Sequence, residues 1–281
     1  MIAPSGLRRD GEILYNVYGD ESHDGRASII YVVSGLFGDD ADWDTATSAW
    51  TEITKGKEFH AREWASPPEY RALCRVICNS KLIAFAAGMD LTEYQTIFPN
   101  PVDQLPYYFC FYKVVEHMAG IAYGCIPREK VKFTFDRNLD VKHNATFLYD
   151  SLIKVPEFQH WDMLADKPEF STRKDPRIQM ADMVARESMN WLRTTVTGNA
   201  ATRTTCLASL VESHRLHWHQ FDRTYFAQRV AHVQKLVEQG HPIGNFEQWR
   251  RAHNCQDTTE NRTRYQVEID EKLREQGISP V

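Results

Sequence analysis

An alternation between short apolar runs and longer segments of helical period constrains the fold of this chain more than any other feature. The runs are rich in β-branched and aromatic residues and predict strands at residues 13–19, 28–37, 82–89, 131–135 and 163–170. An Asp-Gly pair between the first two runs is typical of a tight hairpin turn. Helical segments follow near 43–53, from 67, and at 107–123, 145–153 and 177–192. We therefore predict an α/β fold whose mixed sheet is opened by a β-hairpin and flanked by helices.

The pattern changes after residue 198. It predicts helices only, at residues 204–214 and about 222–239, followed by a polar end with little apolar periodicity. Residues 256–281 are interpreted as a solvated helix with a frayed end. We accordingly divide the chain into a domain of residues 1–198 and a helical C-terminal extension of residues 199–281.

The charge balance limits how the chain could bind nucleic acid. Its 281 residues include 33 Lys and Arg against 38 Asp and Glu, a net charge of −5. This balance argues against affinity that comes from a broad excess of basic residues. It does not exclude a nuclease, because metal ions supply positive charge locally. Residues 201–281 hold 11 basic and 10 acidic residues, which leaves 22 and 28 for residues 1–200, where the acidic excess lies.

The cysteines and the apolar segments bear on the compartment. None of the six cysteines forms a CxxC pair, and Cys74 and Cys78 are interpreted as two packed small side chains on a helix rather than a metal or redox pair. The first residues lack an apolar signal core, and the longest apolar stretch is far shorter than the ~20 residues of a membrane span. We expect a cytoplasmic protein that makes no membrane contact.

Four aspartates occupy positions where a carboxylate has a functional interpretation. Asp20, Asp90 and Asp136 end predicted strands, and Asp182 lies in the apolar helical stretch IQMADMVA. Ligands of open α/β sheets usually bind beyond the carboxyl ends of the strands. Carboxylates that converge there repel one another unless a divalent cation neutralises them, and oxygen ligands suit Mg²⁺ or Mn²⁺.

Each aspartate also has a structural interpretation as a turn, cap or ion-pair residue. Asp20 could begin the hairpin turn, Asp90 could cap the following turn, Asp136 could pair with Arg137 or cap a helix near Asn138, and Asp182 could pair with Arg186.

Four short segments, in this order, resemble the motif set of the family called domain of unknown function 3800. They are Asp20-Glu21-Ser22 after the first strand, Glu58-Phe59-His60-Ala61, Asp136 after VKFTF, and the segment 178–182, which reads IQMAD. The likeness spans about residues 13–192 and leaves Asp90 out. It implies a ribonuclease-H-like fold with a divalent-metal site formed by Asp20, Asp136 and Asp182, and with Glu21, Ser22, Glu58, His60 and Gln179 nearby.

Two departures from the family pattern leave the substrate open. His23 stands where the family commonly has glycine, and Met183, Ala185 and Arg186 replace the small residues that often follow the Ala-Asp pair. His23 either crowds the opening of the site or is a turn residue that points to water. The departures also leave open the alternative that this chain is a member of the family that has lost its activity.

The resemblance implies a metal-dependent phosphodiester hydrolase, a nuclease whose partner is nucleic acid. Two ions about 4 Å apart would divide the work, one activating water and the other stabilising the leaving oxygen. The aspartates are then ligands rather than proton carriers. His60 would assist proton transfer or hold a phosphate, unless it simply packs beside Phe59 and Trp64. Gln179 would orient Asp182 or a metal-bound water, unless it is a surface amide.

Two other functions and two other clusters stay open. The chain could be a catalytically inactive ribonuclease-H-like module that binds nucleic acid or protein, or a phosphohydrolase of small nucleotides.

His214 and His217 have a spacing compatible with zinc on a helix, but no third ligand lies nearby in the sequence. Residues 214–229 and 246–253 interleave basic and aromatic side chains, which we interpret as packed helices with solvated arginines rather than a surface for single strands.

Overall fold

A six-stranded mixed sheet flanked by helices forms the centre of the computed structural model. The structure describes residues 15–23, 29–64, 66–97, 105–125, 130–137, 145–146, 148–150, 163–165, 167–198, 205–213, 215–239 and 246–275. The predicted α/β class, the opening hairpin and the flanking helices are confirmed in these residues.

The sheet combines an antiparallel meander with parallel strands at both of its sides. Its strands are β1 (Tyr15–His23), β2 (Ile30–Asp39), β3 (Ile83–Asp90), β4 (Val131–Asp136), β5 (Glu169–Ser171) and β6 (Leu216–Phe221). They lie in the order β5-β4-β1-β2-β3-β6. Strands β1, β2 and β3 pair antiparallel, whereas β4 runs parallel to β1, β5 parallel to β4, and β6 parallel to β3.

The helices within the described residues agree with the predicted periodic segments, with a few additions. They are α1 (Asp40–Thr54), α2 (Pro67–Asn79), α3 (Leu91–Ile97), α4 (Leu105–Cys125), α5 (Pro176–Thr197), α6 (Thr205–Glu212), α7 (Arg223–Glu238), α8 (Phe246–Ala252) and α9 (Thr259–Glu275). The short helix α3 was not predicted. Residues 145–146 and 148–150 are also helical, and the rest of the segment predicted at 145–153 lies outside the described residues. None of the helices in the described ranges combines the length with the apolar character that a membrane span requires.

Alternation along the strands divides the core between two faces of the sheet. On β1, Val17 packs with the cluster under α4, whereas its neighbour Tyr18 packs on the opposite face with α5 and α1. On β2, Val33 and Leu36 are divided in the same way. Because both faces are covered, nearly every residue of β2 is buried, which is why the sequence shows a continuous apolar run there.

The strand predicted at residues 163–170 is shorter than expected and lies later in the chain. Strand β5 covers Glu169–Ser171, and Leu164 makes only an isolated parallel bridge to Val131. The packing interpretation of the first cysteine pair is confirmed for Cys74, which is buried with its Sγ 3.6 Å from Met183 Sδ, while Cys78 is partly buried.

The prediction that only helices follow residue 198 is wrong at β6, which pairs with the edge of β3. Trp218 packs edge-on against Trp191 of α5, whereas His217 lies near His117 of α4 on the other face. Side chains that alternate between the two faces have a period of two residues. In a segment this short, that period is hard to distinguish from the period of a helix. His217 is therefore not on the helical face proposed for zinc, and His214 lies outside the described residues. The division into residues 1–198 and 199–281 stays a prediction, although β6 joins the sheet.

The polar C-terminal segment forms a packed helix rather than a solvated one. On α9, Ile269 and Leu273 are buried against Trp249 of α8, which confirms the packed interpretation of residues 246–253. Asp270 is 1% exposed and forms an ion pair with Arg229 of α7, which is likewise buried. The solvated interpretation fails on this inner face because the partners of Asp270 are far away in the sequence.

Candidate functional site

Neighbouring strands place two of the predicted aspartates side by side. Strands β1 and β4 are parallel with Gly19 opposite Phe135, so the next residues, Asp20 and Asp136, follow at the same edge of the sheet. Gly19 and Phe135 point towards α4, because a Cβ on Gly19 would meet the Phe135 ring, which packs against Phe111. Asp20 and Asp136 therefore point to the other face, which α5 covers.

Helix α5 brings the third aspartate to the same place. The helix begins after Asp175, whose carboxylate accepts a hydrogen bond from Arg177 N at 3.0 Å, and Pro176 suits its first position. Ser34, the partner of Asp20 in the β1–β2 register, donates its hydroxyl to the carbonyl of Ala181 at 3.0 Å. This bond holds the next residue, Asp182, over the carboxylates of β1 and β4.

Asp20 is a deeply buried carboxylate of this group. It is 2% exposed, and its Oδ1 accepts a hydrogen bond from Glu21 N at 2.8 Å. Its Oδ2 is buried and has no hydrogen-bond partner among the described residues. Burial raises the pKa of Asp20 well above its ordinary value, and the charges of Glu21, Asp182 and Asp136 raise it further. An unpartnered carboxylate oxygen among like charges favours the approach of a cation or a proton.

Asp182 is held by the Glu58–Ala61 segment. Its Oδ2 accepts hydrogen bonds from Ala61 N at 2.8 Å and from His60 Nδ1 at 2.9 Å. Because a carboxylate oxygen only accepts, the His60 proton lies on Nδ1, and Nε2 is left as the second ring nitrogen. The predicted alternative of a salt bridge between Asp182 and Arg186 is not what the structure contains. The carboxylate is instead used to orient His60, whose side chain is 24% exposed.

Arg173 supplies the positive charge of this cluster. Its Nε lies 3.5 Å from Asp136 Oδ2, an ion pair that is too long and misaligned for a good hydrogen bond. Burial disfavours the charged form of Arg173, but the carboxylates of Asp20, Asp136 and Asp182 outweigh burial and raise its pKa. Burial also raises the pKa of Asp136, and the charge of Arg173 offsets only part of that effect.

Gln179 has a different role from the predicted orientation of Asp182. Its Oε1 accepts a hydrogen bond from Trp50 Nε1 at 2.8 Å, and its Nε2 donates to the carbonyl of Arg173 at 2.6 Å. The side chain is 3% exposed, so it is not a surface amide either. Gln179 therefore fixes the backbone of Arg173 and, through it, the position of the guanidinium.

The remaining residues of the first motif divide between the two faces of β1. Glu21 lies on the α4 face, where its charge, after burial, raises the pKa of Tyr31 and Tyr107. Ser22 shares the face of Asp20, and its Oγ lies 3.8 Å from Met189 Sδ of α5. His23 is exposed and stacks on Tyr31, so it does not crowd the carboxylates.

Glu58 and Asp90 are the two remaining acidic residues considered in the sequence. Glu58 is exposed in the loop after α1. Asp90 ends β3 and accepts hydrogen bonds from Thr92 N at 2.7 Å and Glu93 N at 3.4 Å, so it caps α3 as its structural interpretation predicted. Asp90 is the aspartate that the resemblance leaves out.

Sequence reasoning missed Arg173 and Trp50. Arg173 follows β5, and the register that sets this strand beside β4 decides which carboxylate it meets. A basic residue just after a short strand was the only signal that could have indicated Arg173. Trp50 gave no polar signal, because its role depends on one indole N–H that contacts a residue 129 positions away.

The donor chemistry at this edge fits a hard divalent cation, since it consists of carboxylate oxygens, one of them unpartnered. The side chains of Asp20, Asp136 and Asp182 do not surround a single point. Within the described part of the chain, no group of three or more His, Cys, Asp or Glu side chains is placed to hold a metal ion. Arg173 ion-pairs with one of the carboxylates that a cation would bind.

Comparison with known proteins gives little further information. No protein-family model matches the chain, and no curated protein matches it. Among solved structures, a chain from the complex of PCNA with RNase HII of Archaeoglobus fulgidus is similar over 72% of this chain and 91% of that chain, at 12% identity and a TM-score of 0.40. A likeness at this level defines neither the fold nor the function of the chain.

Proposed function

We propose that the protein is a divalent-metal-dependent phosphodiester hydrolase, a nuclease with a ribonuclease-H-like fold in which Asp20, Asp136 and Asp182 bind Mg²⁺ or Mn²⁺. One observation carries the proposal: the unpartnered Oδ2 of Asp20 is buried beside two further carboxylates. A buried carboxylate without a compensating partner costs free energy, and a divalent cation would offset that cost.

The proposed roles follow from the contacts of each residue. The aspartates would bind the cation or the pair of cations, which when bound supply Lewis acidity and an activated water. His60 donates Nδ1–H to Asp182, so the ring is oriented and Nε2 is the atom that exchanges a proton or contacts a phosphate. Arg173, which ion-pairs with Asp136, would compete with a cation for that carboxylate, because either charge would neutralise it.

The proposed kinship with the domain of unknown function 3800 is supported by where its residues lie. Asp20, Asp136, Asp182 and His60 come from separate segments, and the hydrogen bonds and charge effects described above join them in one cluster. The antiparallel β1–β2–β3 meander with parallel β4 and β5 beside it is the sheet that we propose to be ribonuclease-H-like.

Metal binding and cleavage by an Asp136→Asn variant test the proposal. Wild-type protein should bind Mn²⁺ by electron paramagnetic resonance and, with Mg²⁺ or Mn²⁺, cut RNA, DNA or their hybrid. Asp136→Asn should reduce the activity by more than the roughly 10–100-fold that is typical of mutations outside the set of metal ligands. Asp90→Asn is the matched control, since Asp90 also ends a strand but caps a helix, and Asn caps as well as Asp. Equal loss in both variants, or Mn²⁺ binding that Asp136→Asn leaves unchanged, would contradict the ligand assignment.

A second candidate is the inactive binding module. The ion pair between Arg173 and Asp136 favours it, because a cluster already neutralised by a guanidinium depends less on a metal ion. Nucleic-acid binding by the wild type and by Asp136→Asn, with no cleavage by either, would support this candidate. Hydrolysis of dinucleotides but not of polymers would support a small-nucleotide phosphohydrolase.

A further inference from the structure

We propose that Arg62, Arg186 and Arg193 form a row of guanidinium groups that binds the phosphodiester backbone of a nucleic acid and leads it to the carboxylates. The inference rests on the proposed function, because it names the contacts that would bring the substrate of that site into place. Arg62 and Arg193 lie outside the family motifs, and Arg186 stands where the family often has a small residue.

Helix α5 aligns two of the arginines with the site. Residues 182, 186 and 193 lie within about 40° of one another around the helix axis, since each residue advances about 100°. At a rise of 1.5 Å per residue, Arg186 lies about 6 Å and Arg193 about 16 Å beyond Asp182 along the axis. The two arginines therefore lie on the same side of α5 as Asp182 and follow it towards the C-terminal end of the helix.

Side-chain contacts place Arg186 beside the end of β1. Its Nη1 lies 3.7 Å from Met189 Sδ, the same sulfur that Ser22 Oγ approaches at 3.8 Å. Ser22 is two residues beyond Asp20 and on the same face of the strand. The guanidinium of Arg186 is thus next to the carboxyl end of the strand that presents Asp20.

Arg62 approaches from the loop that holds Asp182. It follows Ala61, whose backbone N–H donates to Asp182 at 2.8 Å, and its side chain is exposed. Burial lowers the pKa of Arg186, and the charges of Arg193 and Arg62 lower it further against the opposing effects of Tyr70 and Asp182, so each of the two arginines lies near enough to Arg186 to repel it. Neighbouring guanidinium groups create a positive potential at the surface, and this potential attracts an anion.

The three arginines are not engaged in ion pairs within the described residues. Arg193 donates to the amide oxygen of Asn190 at 3.3 Å, and Arg186 Nη1 lies 3.7 Å from the Met189 sulfur. Three arginines of the C-terminal helices contrast with this, because Arg229, Arg262 and Arg264 pair with carboxylates. None of the three therefore has a carboxylate within ion-pair distance among the described residues, and the acidic charge of Asp182, at the proposed site, acts on Arg186.

A phosphodiester backbone fits this row better than a single small anion does. The two α5 arginines are about 10 Å apart along the axis, which corresponds to about three nucleotides at 3.4 Å per nucleotide of a strand. The chain as a whole carries −5, and the carboxylate cluster would repel a polyanion. A local row of guanidinium groups offsets that repulsion where the strand enters.

The salt dependence of nucleic-acid binding tests the inference without requiring cleavage. The full chain is titrated into a labelled DNA duplex and the matching RNA–DNA hybrid, in the absence of divalent metal, and fluorescence anisotropy is measured over a range of NaCl concentrations. The triple variant Arg62→Gln, Arg186→Gln and Arg193→Gln should lower the slope of log K against log[NaCl] by about 3, since each phosphate contact contributes about 0.9. The matched triple variant Lys55→Gln, Arg223→Gln and Lys235→Gln removes the same charge from exposed positions elsewhere and should change the slope by less than about 1.

The outcomes separate this inference from the proposed hydrolysis. Wild-type protein that binds neither probe, or a slope that the arginine triple leaves unchanged, overturns the inference. Equal loss in the two triple variants overturns it as well, because the effect is then one of net charge. Arg186→Lys keeps the charge and should keep the slope. A far-ultraviolet circular dichroism spectrum of the arginine triple that matches the wild-type spectrum excludes misfolding as the cause of a loss. Loss of slope in the arginine triple, with no cleavage by the wild type, leaves the arginine row standing and removes the hydrolase proposal.

Discussion

Asp20 and Glu187 are both buried carboxylates with raised pKa values, but among the described residues only Glu187 accepts a hydrogen bond from a neutral side chain. Glu187 of α5 is 1% exposed, and the Tyr70 hydroxyl of α2 donates to its Oε1 at 2.6 Å. Burial raises the pKa of Glu187 to about 7, although Tyr70 and Arg186 lower it somewhat. Asp20 instead lies beside further acidic groups, which indicates a site rather than a packing contact.

The raised pKa of Glu187 predicts a stability that falls as the pH rises. The folded state retains the Glu187 proton up to about pH 7, whereas the unfolded chain loses it near its ordinary pKa of 4.5. The contribution is therefore fully present below about pH 4.5 and is lost between there and about pH 7, by the order of a few kcal/mol. Glu187→Gln keeps an acceptor for Tyr70 and should raise the free energy of unfolding at pH 8 while leaving it nearly unchanged at pH 4.5.

Urea denaturation at the two pH values measures this difference. Tyr70→Phe is the useful comparison, because it removes the hydrogen bond and keeps the carboxyl group, so its pH dependence should persist. A Glu187→Gln variant whose stability falls with pH as steeply as that of the wild type would show that another group is responsible.

At the scale of the elements, the close contact between β1 and β4 sets the spacing of Asp20 and Asp136. A Cβ on Gly19 would lie 2.6 Å from two carbons of the Phe135 ring and 2.9 Å from the carbonyl oxygen of Ser34. The absence of a side chain on Gly19 therefore allows the ring to cover the strand directly before the carboxylates.

Gly19→Ala should destabilise the protein by about 1–3 kcal/mol, because the Phe135 ring or the strand must shift. The shift would also alter the separation of Asp20 and Asp136, so Mn²⁺ affinity should fall with stability. Gly124→Ala in α4 is the matched control, since its added Cβ meets nothing within 4 Å and alanine favours a helix by up to about 1 kcal/mol. Urea denaturation measures both variants. A neutral Gly19→Ala together with a destabilising Gly124→Ala would contradict the packing account.

At the scale of the whole molecule, one buried ion pair joins the C-terminal helices to the helix under the sheet. Asp270 of α9 pairs with Arg229 of α7, and the Tyr108 hydroxyl of α4 donates to the same carboxylate. Arg229 also stacks over the ring of Phe109, with 5.0 Å between its Cζ and the ring centroid. Three segments far apart in the sequence thus meet at one carboxylate.

Asp270→Ala should destabilise the protein by about 3–5 kcal/mol, because it leaves the Arg229 charge buried without its partner. Glu260→Gln is the matched control on the same helix, since the exposed pair of Glu260 with Arg264 contributes only about 0.2–1 kcal/mol. Equilibrium unfolding of the two variants measures the difference. Similar small losses in both would show that the Asp270 contact does not hold α9 in place.

The periodic segments and the positions of three aspartates were evident from the sequence alone. Local spacing decides whether an apolar run suits a strand or a helix, and it also indicates that Asp20 and Asp136 end strands and that Asp182 lies in an apolar helix. The tertiary structure decided the rest. Pairing with β3 made residues 216–221 a strand, the β4–β5 register brought Arg173 to Asp136, and α7 and α4 buried Asp270. The physical reason is that these contacts join residues tens to hundreds of positions apart, whose approach no local period encodes.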